Sequence, residues 1–138
     1  LFRRLGQDAI EAIASLNAAS IADPEKAAKK AKRWADIRNW LVVTSRITPG
    51  DELLTREDYA ATCCAVQNMQ LSFAADGVGT KWTSGDIQRT PGFERICGVD
   101  GDAECVCGVI WYGYAADGAA LAAPKRKLGL DQVLLKVP

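Results

Sequence analysis

The sequence predicts a domain of mixed helices and strands built around one long buried helix, and three stretches carry that expectation. Residues 55–85 open with a helix-start signal, run on through small and apolar side chains, stop at Gly77-Val78-Gly79 and deliver a Trp-Thr-Ser-Gly loop. Residues 40–45 (WLVVTS) and 104–114 (ECVCGVIWYGY) are β-branched and aromatic runs with the composition of strands. A chain of 138 residues is one domain by the usual prior, and it buries roughly two thirds of the surface its unfolded form exposes.

In chain order, residues 7–19 place Ile10, Ile13, Ala14 and Leu16 at helical spacing, which predicts a short amphipathic helix. Asp23-Pro24-Glu25 then supplies an N-cap, a proline at the first helical position and an acid in the first turn. The helix it opens carries Lys26, Lys29, Lys30, Lys32 and Arg33 as a charged stripe, either a solvated face or a docking surface for an acidic partner. Residues 40–45 form a strand ended by Thr48-Pro49-Gly50. Thr55 and Asp58 read as a capping box for the central helix, whose face of Tyr59, Cys63, Val66, Gln70 and Phe73 recurs every three or four residues. Ala60, Ala61, Cys64 and Ala65 add small side chains around it, so the helix is expected to be buried, with another backbone close by. Residues 91–98 predict one or two helical turns with Gly98 as terminator, Asp100-Gly101-Asp102 a turn, and residues 104–114 a central, well-covered strand. Beyond an Ala/Gly-rich linker, residues 131–137 suit a terminal strand or an extended arm in need of a partner.

Composition excludes several function classes. Seventeen basic residues balance seventeen acidic ones, so no general attraction to nucleic acid is implied. No apolar run approaches the roughly twenty residues that span a bilayer. The absence of histidine removes a histidine general base and makes the commonest zinc sites hard to build. Cys63, Cys64, Cys97, Cys105 and Cys107 match neither a metal knuckle nor a Cys-x-x-Cys redox pair. They read as reduced structural thiols in a reducing compartment. Because the chain begins with Leu1, a preceding segment is expected; if that segment is a transit peptide, the setting is an organelle stroma or matrix, with a plastid favoured, and otherwise the cytoplasm.

A family resemblance rests on residues in order: Glu57-Asp58 with Ala60-Ala61, then Ala65-Val66-Gln67-Asn68-Met69-Gln70-Leu71, Gly77-Val78-Gly79-Thr80 and Trp82-Thr83-Ser84-Gly85. Gly113-Tyr114-Ala115 and Lys125-Arg126-Lys127 before Leu130-Asp131-Gln132-Val133 continue it. The succession resembles the C-terminal half of the FMN-dependent nitroreductase family. That resemblance implies an α+β fold, a mixed or antiparallel sheet flanked by helices, with the long helix at the core of an intimate homodimer and a flavin at its interface. It also implies hydride transfer from NAD(P)H to FMN and on to a nitroaromatic, quinone or related acceptor. Trp82, Thr83 and Ser84 match the loop against the flavin, through backbone amides, hydroxyls and an indole, although Trp82 equally suits a core plug at the helix end. Lys125, Arg126 and Lys127 match basic positions on the FMN phosphate, or else a solvated basic turn.

The family also anchors FMN through an N-terminal Arg-x-Ser-x-Arg motif and an Asn/Ser-x-Gln-Pro segment. Phe2-Arg3-Arg4-Leu5 has the charges without the serine or the spacing, and nothing before Trp40 resembles the second motif. The resulting expectation is a single nitroreductase-like domain over residues 1–138 that lacks the family's N-terminal part. Its expected role is a non-catalytic accessory or scaffold subunit in a larger assembly, possible settings including a plastid photosynthetic complex. A second protein chain would cover the central helix and C-terminal arm. The alternative is part of an active FMN-dependent NAD(P)H oxidoreductase.

Overall fold

The computed structural model describes residues 1–116, 127–129 and 132–134. Strand β1 (Phe2–Arg4) leads into helices α1 (Gln7–Ala18) and α2 (Pro24–Ala35), followed by strand β2 (Trp40–Arg46) and helix α3 (Glu52–Ala75). Strand β3 (Val78–Thr83), a 3-10 turn (Asp86–Arg89), helix α4 (Pro91–Cys97) and strand β4 (Glu104–Tyr114) complete the described elements. The strands form one antiparallel sheet in the order β1-β2-β4-β3. With helices on both faces, this is the α+β architecture expected from the sequence.

Two apolar layers sandwich the sheet. On one face Leu5, Ile10, Ile13, Trp40, Val42, Phe93, Cys97 and Val109 join α1 and α4 to the strands. On the other, Val43, Val66, Cys107 and Ile110 pack with Leu41, Met69 and Trp82 beneath α3. Alternate residues of β2 therefore feed opposite layers, which is why its apolar run is continuous. A bulge interrupts β4: Val43 pairs with Gly108 but Thr44 pairs with Val106, leaving Cys107 as the extra residue. The bulge resets the alternation, so Cys107 and Gly108 both turn toward the α3 side.

Helix α3 runs the expected length, but it starts earlier. The Asp51 carboxylate accepts from the Leu54 amide at 2.9 Å and is the cap. Thr55, expected to cap, instead donates its hydroxyl to the Asp51 carbonyl at 2.9 Å and accepts from the Thr48 amide at 2.9 Å. Its burial is also narrower than its composition suggests. Val66 is its one fully buried residue, while Ala60, Ala61, Cys64 and Ala65 are exposed in the single chain. A single sheet covers one stripe of a helix, so the small-residue face stays open unless a second chain covers it. Helix α2 buries no residue; Lys26, Lys29, Lys32 and Arg33 of its basic stripe are exposed and Lys30 is half-buried. Residues 82 and 83, read from sequence as loop, close strand β3 instead. The suggested terminal strand or arm at 131–137 falls mainly outside the described residues.

Strand β1 is held by charge as well as by pairing. Arg3 donates Nη1 to Glu104 Oε2 at 2.8 Å and Nη2 to Oε1 at 2.6 Å, a two-pronged clamp from β1 across β2 to β4. Arg3 Nη1 also reaches Thr44 Oγ1 at 2.9 Å, and the Thr44 hydroxyl donates to Glu104 Oε2. The Arg3 hydrogen bonds hold the Glu104 carboxyl below its ordinary range, against an opposing desolvation. Because the folded value is the depressed one, this stabilisation is present above the unfolded carboxylate range and is lost as pH falls through the folded value. Glu104→Gln is expected to cost about 1–3 kcal/mol at pH 7. The cost should shrink toward zero on acidification, read from urea midpoints between pH 7 and pH 3.

Candidate functional site

Three of the six residues singled out from sequence meet at one end of β3. The ladder between β3 and β4 ends at Thr83 opposite Val109, so the amides of Ser84 and Gly85 lie beyond the last paired residue. The 3-10 turn follows at once, and its Gln88, 6% exposed, donates Nε2 to the Thr83 carbonyl at 3.3 Å. That bond fixes the angle at which Ser84-Gly85 leaves the sheet. Gly85 is in extended backbone, and a Cβ built on it would meet nothing within 4 Å.

Trp82 is seated against the sheet. Its indole Nε1 donates to the Cys107 carbonyl at 3.3 Å, and the ring lies over Gly108. Gly108 sits at φ +148°, and a Cβ there would come 2.3 Å from Trp82 Nε1, so glycine is required on both counts. The bulge, the glycine and the indole thus form one unit: the bulge turns Gly108 toward the ring, and the missing side chain makes room for it.

The Ser84-Gly85 turn separates two clefts. On the α3 side a cleft of about 330 Å³ is bounded by Tyr59, Trp82, Ser84, Gly85, Gln88 and Arg89. On the α1 and α4 side a larger cleft of about 770 Å³ reaches from the same turn to Asn17, Lys30 and Trp34. Both fall within the roughly 300–1,000 Å³ range of small-molecule and cofactor sites. The α3-side cleft fits the ring edge of a flavin. It offers two amides free of the ladder and a serine hydroxyl as donors, with a fixed indole as an apolar wall. Tyr59 contributes the wall on the α3 side.

Of the basic trio, Lys127 is exposed, and Lys125 and Arg126 lie outside the described residues. Tyr59, Gln88 and Arg89 were not singled out as site residues. Tyr59 reads as one more residue of a helical face, and the 3-10 turn carries no local motif. Among the described residues no cluster of three or more His, Cys, Asp or Glu side chains is placed to hold a metal ion. No described helix is long and apolar enough to cross a membrane.

Two of the cysteines, Cys107 beside the site and Cys97 in the core under α4, are unreactive by position. Burial pushes the Cys97 thiol up to about 11 against the opposing charge of Arg3. Burial, reinforced by Cys105 and Cys63, pushes Cys107 up to about 12. Both are protonated at neutral pH and are not nucleophiles. Iodoacetamide at pH 7.5 is expected to alkylate exposed Cys64 first, and Cys97 and Cys107 only after denaturation, as read by peptide mass spectrometry.

A family model described as the nitroreductase family matches residues 2–114. A search of curated proteins returned no match. Among solved structures, a nitroreductase-like family protein from Bacillus cereus superposes with a TM-score of 0.79 at 24% identity, over 99% of this chain and 72% of that one. A nitroreductase with bound FMN from Bacteroides fragilis gives a TM-score of 0.60 at 19% identity, over 100% of this chain and 75% of that one. An FMN-dependent nitroreductase from Mycobacterium smegmatis in complex with NADPH gives 0.56 at 16%, over 93% of this chain and 56% of that one. At these identities the superpositions establish the fold.

These matches correct two expectations. The resemblance is not confined to the C-terminal half, because the family model begins at residue 2 and takes in β1, α1, α2 and β2. In that stretch Ile10, Ile13 and Val42 pack the core without forming a motif. The reading as a non-catalytic, organellar scaffold rested on confining the resemblance to one half and falls with it; similarity across nearly the whole chain favours the oxidoreductase alternative. With 2–114 matched by the family model, this chain belongs to the nitroreductase family.

Proposed function

We propose that the chain is an FMN-dependent oxidoreductase that oxidises NAD(P)H and reduces an organic acceptor of the nitroaromatic or quinone class. The observation that carries the proposal is the Trp82–Gly85 segment, where donors leave the sheet at the mouth of a cleft walled by an immobilised indole. FMN, when bound, supplies the acceptance and donation of hydride, and the protein supplies position and electrostatics.

The amides of Ser84 and Gly85 and the Ser84 hydroxyl are the groups that would hold the flavin edge, as donors to its acceptor atoms. Trp82 cannot swing away, because Cys107 and Gly108 hold its indole. It excludes water from one wall. Gln88 keeps the turn at its angle through Thr83. Arg89 adds a cation to the rim, favouring the electron-rich reduced state of the ring. Lys127, with Lys125 and Arg126 of the same basic segment, neutralises the phosphate.

A second copy of the chain would cover the Ala60, Ala61, Cys64 and Ala65 face of α3 that the single chain leaves exposed. Five unpaired cysteines suit a reducing compartment, whether cytoplasm or organelle interior. The test is steady-state kinetics of FMN-loaded protein with NADH or NADPH against a nitroaromatic and a quinone. Acceptor-dependent cofactor oxidation with parallel double-reciprocal lines is expected. FMN-loaded protein that consumes neither nicotinamide with either acceptor class would overturn the assignment.

A further inference from the structure

The larger cleft behind the Ser84-Gly85 turn lies on the opposite face of the sheet from α3, and the proposed flavin position does not use it. Its volume is about 770 Å³. Leu16, Trp34 and Ile87 give it apolar walls, and its polar lining includes Asn17, Lys30 and Asp86 among several hydroxyl and amide side chains. Two of these are donors in want of an acceptor. Asn17 Nδ2 is buried yet has no hydrogen-bond partner among the described residues, an unfavourable condition that an acceptor relieves. Lys30 leans its ammonium over the Trp34 ring at 5.9 Å from the centroid and makes no ion pair among the described residues. The other charge on the rim, Asp86, is exposed.

We propose that this cleft binds a planar aromatic monocarboxylate at a site distinct from the flavin. The aryl ring lies against Trp34 between Leu16 and Ile87. The carboxylate accepts from Lys30 and, once the Asn17 side chain turns its buried amide nitrogen toward the cleft, from Asn17 Nδ2, which satisfies the orphaned amide. Asp86 on the rim repels a second negative charge, so a monoanion is preferred over a dianion. Because Ser84, Gly85 and Gln88 wall both clefts, the ligand touches the back of the turn whose front faces the proposed flavin edge. An aromatic acid there is placed to set the position of that turn.

The binding claim does not depend on the flavin reading, and the experiment keeps the two apart. The full chain is titrated calorimetrically with 2-naphthoate, its neutral isostere 2-naphthamide and 2,6-naphthalenedicarboxylate, with and without saturating FMN. Saturable binding of 2-naphthoate is expected, at least about tenfold tighter than the amide or the diacid. Lys30→Gln should remove that margin over the amide and leave amide binding unchanged. Asn17→Leu should weaken both by about fivefold, with folding checked by circular dichroism. Lys30 is half-buried on a helix with no fully buried residue, so its replacement keeps the test decisive even where the Asn17 variant does not fold. The proposal is overturned by no saturable naphthoate binding, by Lys30→Gln leaving naphthoate affinity within twofold, or by FMN displacing naphthoate. If FMN itself does not bind, the flavin reading fails while the naphthoate isotherm still decides this one.

Discussion

Gly108→Val is expected to cost about 2–5 kcal/mol and to carry the flavin edge away with it. A Cβ at this position would meet Trp82 Nε1 at 2.3 Å, Trp82 Cδ1 at 2.8 Å and the Thr83 carbonyl at 2.9 Å, from a backbone at φ +148°. The indole could rotate only by giving up its bond to the Cys107 carbonyl, and Thr83 could retreat only by opening the end of the β3–β4 ladder. Either movement displaces Ser84 and Gly85. Guanidinium midpoints of the valine and alanine variants, compared with the wild type, measure the cost. Repeating Gly108→Ala in a Trp82→Ala background separates ring clash from backbone strain, and the alanine should cost at least about 1 kcal/mol less there. A valine variant with the wild-type midpoint would show that the indole does not occupy this place.

Gly85→Leu makes the opposite kind of change. Nothing stands within 4 Å of a Cβ at Gly85 and its backbone is extended, so stability should stay within about 0.5 kcal/mol. The added isobutyl group instead projects from a residue that lines both clefts and covers an amide assigned to the flavin edge. FMN affinity is expected to fall by about a hundredfold or more, from steric exclusion together with loss of a donor. Paired thermal melts and flavin titrations check it. A folded leucine variant that binds FMN as the wild type does would remove Ser84-Gly85 from the site.

Elements whose signals are local could be read from the sequence. Asp23-Pro24-Glu25 announces α2, and Asp23 accepts from the Glu25 and Lys26 amides at 3.0 and 3.2 Å. Gly98 ends α4 at φ +63°, and the apolar run of β4 makes it a central strand with neighbours on both sides. Elements made by pairing were harder to see. Strand β3 contains Gly79, Thr80 and Lys81, a weak strand composition on an edge position, and it exists because β4 pairs with it from Tyr114 to Val109. Three-residue β1 is likewise held by β2 and by the Arg3–Glu104 clamp. The cap of α3 went to Asp51 because the preceding turn brings its carboxylate onto Leu54 and occupies Thr55 otherwise.

The site divides along the same line. Trp82, Thr83 and Ser84 are adjacent in sequence and arrive together, whereas Tyr59, Gln88 and Arg89 come from α3 and the 3-10 turn. Only the fold brings them to one place. The bulge that places Gly108 under Trp82 is a register event between β2 and β4, with no mark in either strand alone. The exposed small-residue face of α3 shows a limit of reading burial from composition, since a helix apolar over most of its circumference can have one flank on its own sheet and the other open.

Flavin binding by the purified full chain tests the central claim most directly. Protein titrated with FMN and freed of excess by gel filtration should retain a blue absorption band and a near-stoichiometric flavin content, and the band should bleach anaerobically on adding NADH or NADPH. A folded protein that emerges colourless after FMN loading, at concentrations where family-type flavin sites saturate, would contradict the assignment of the Trp82–Gly85 cleft and the oxidoreductase function built on it.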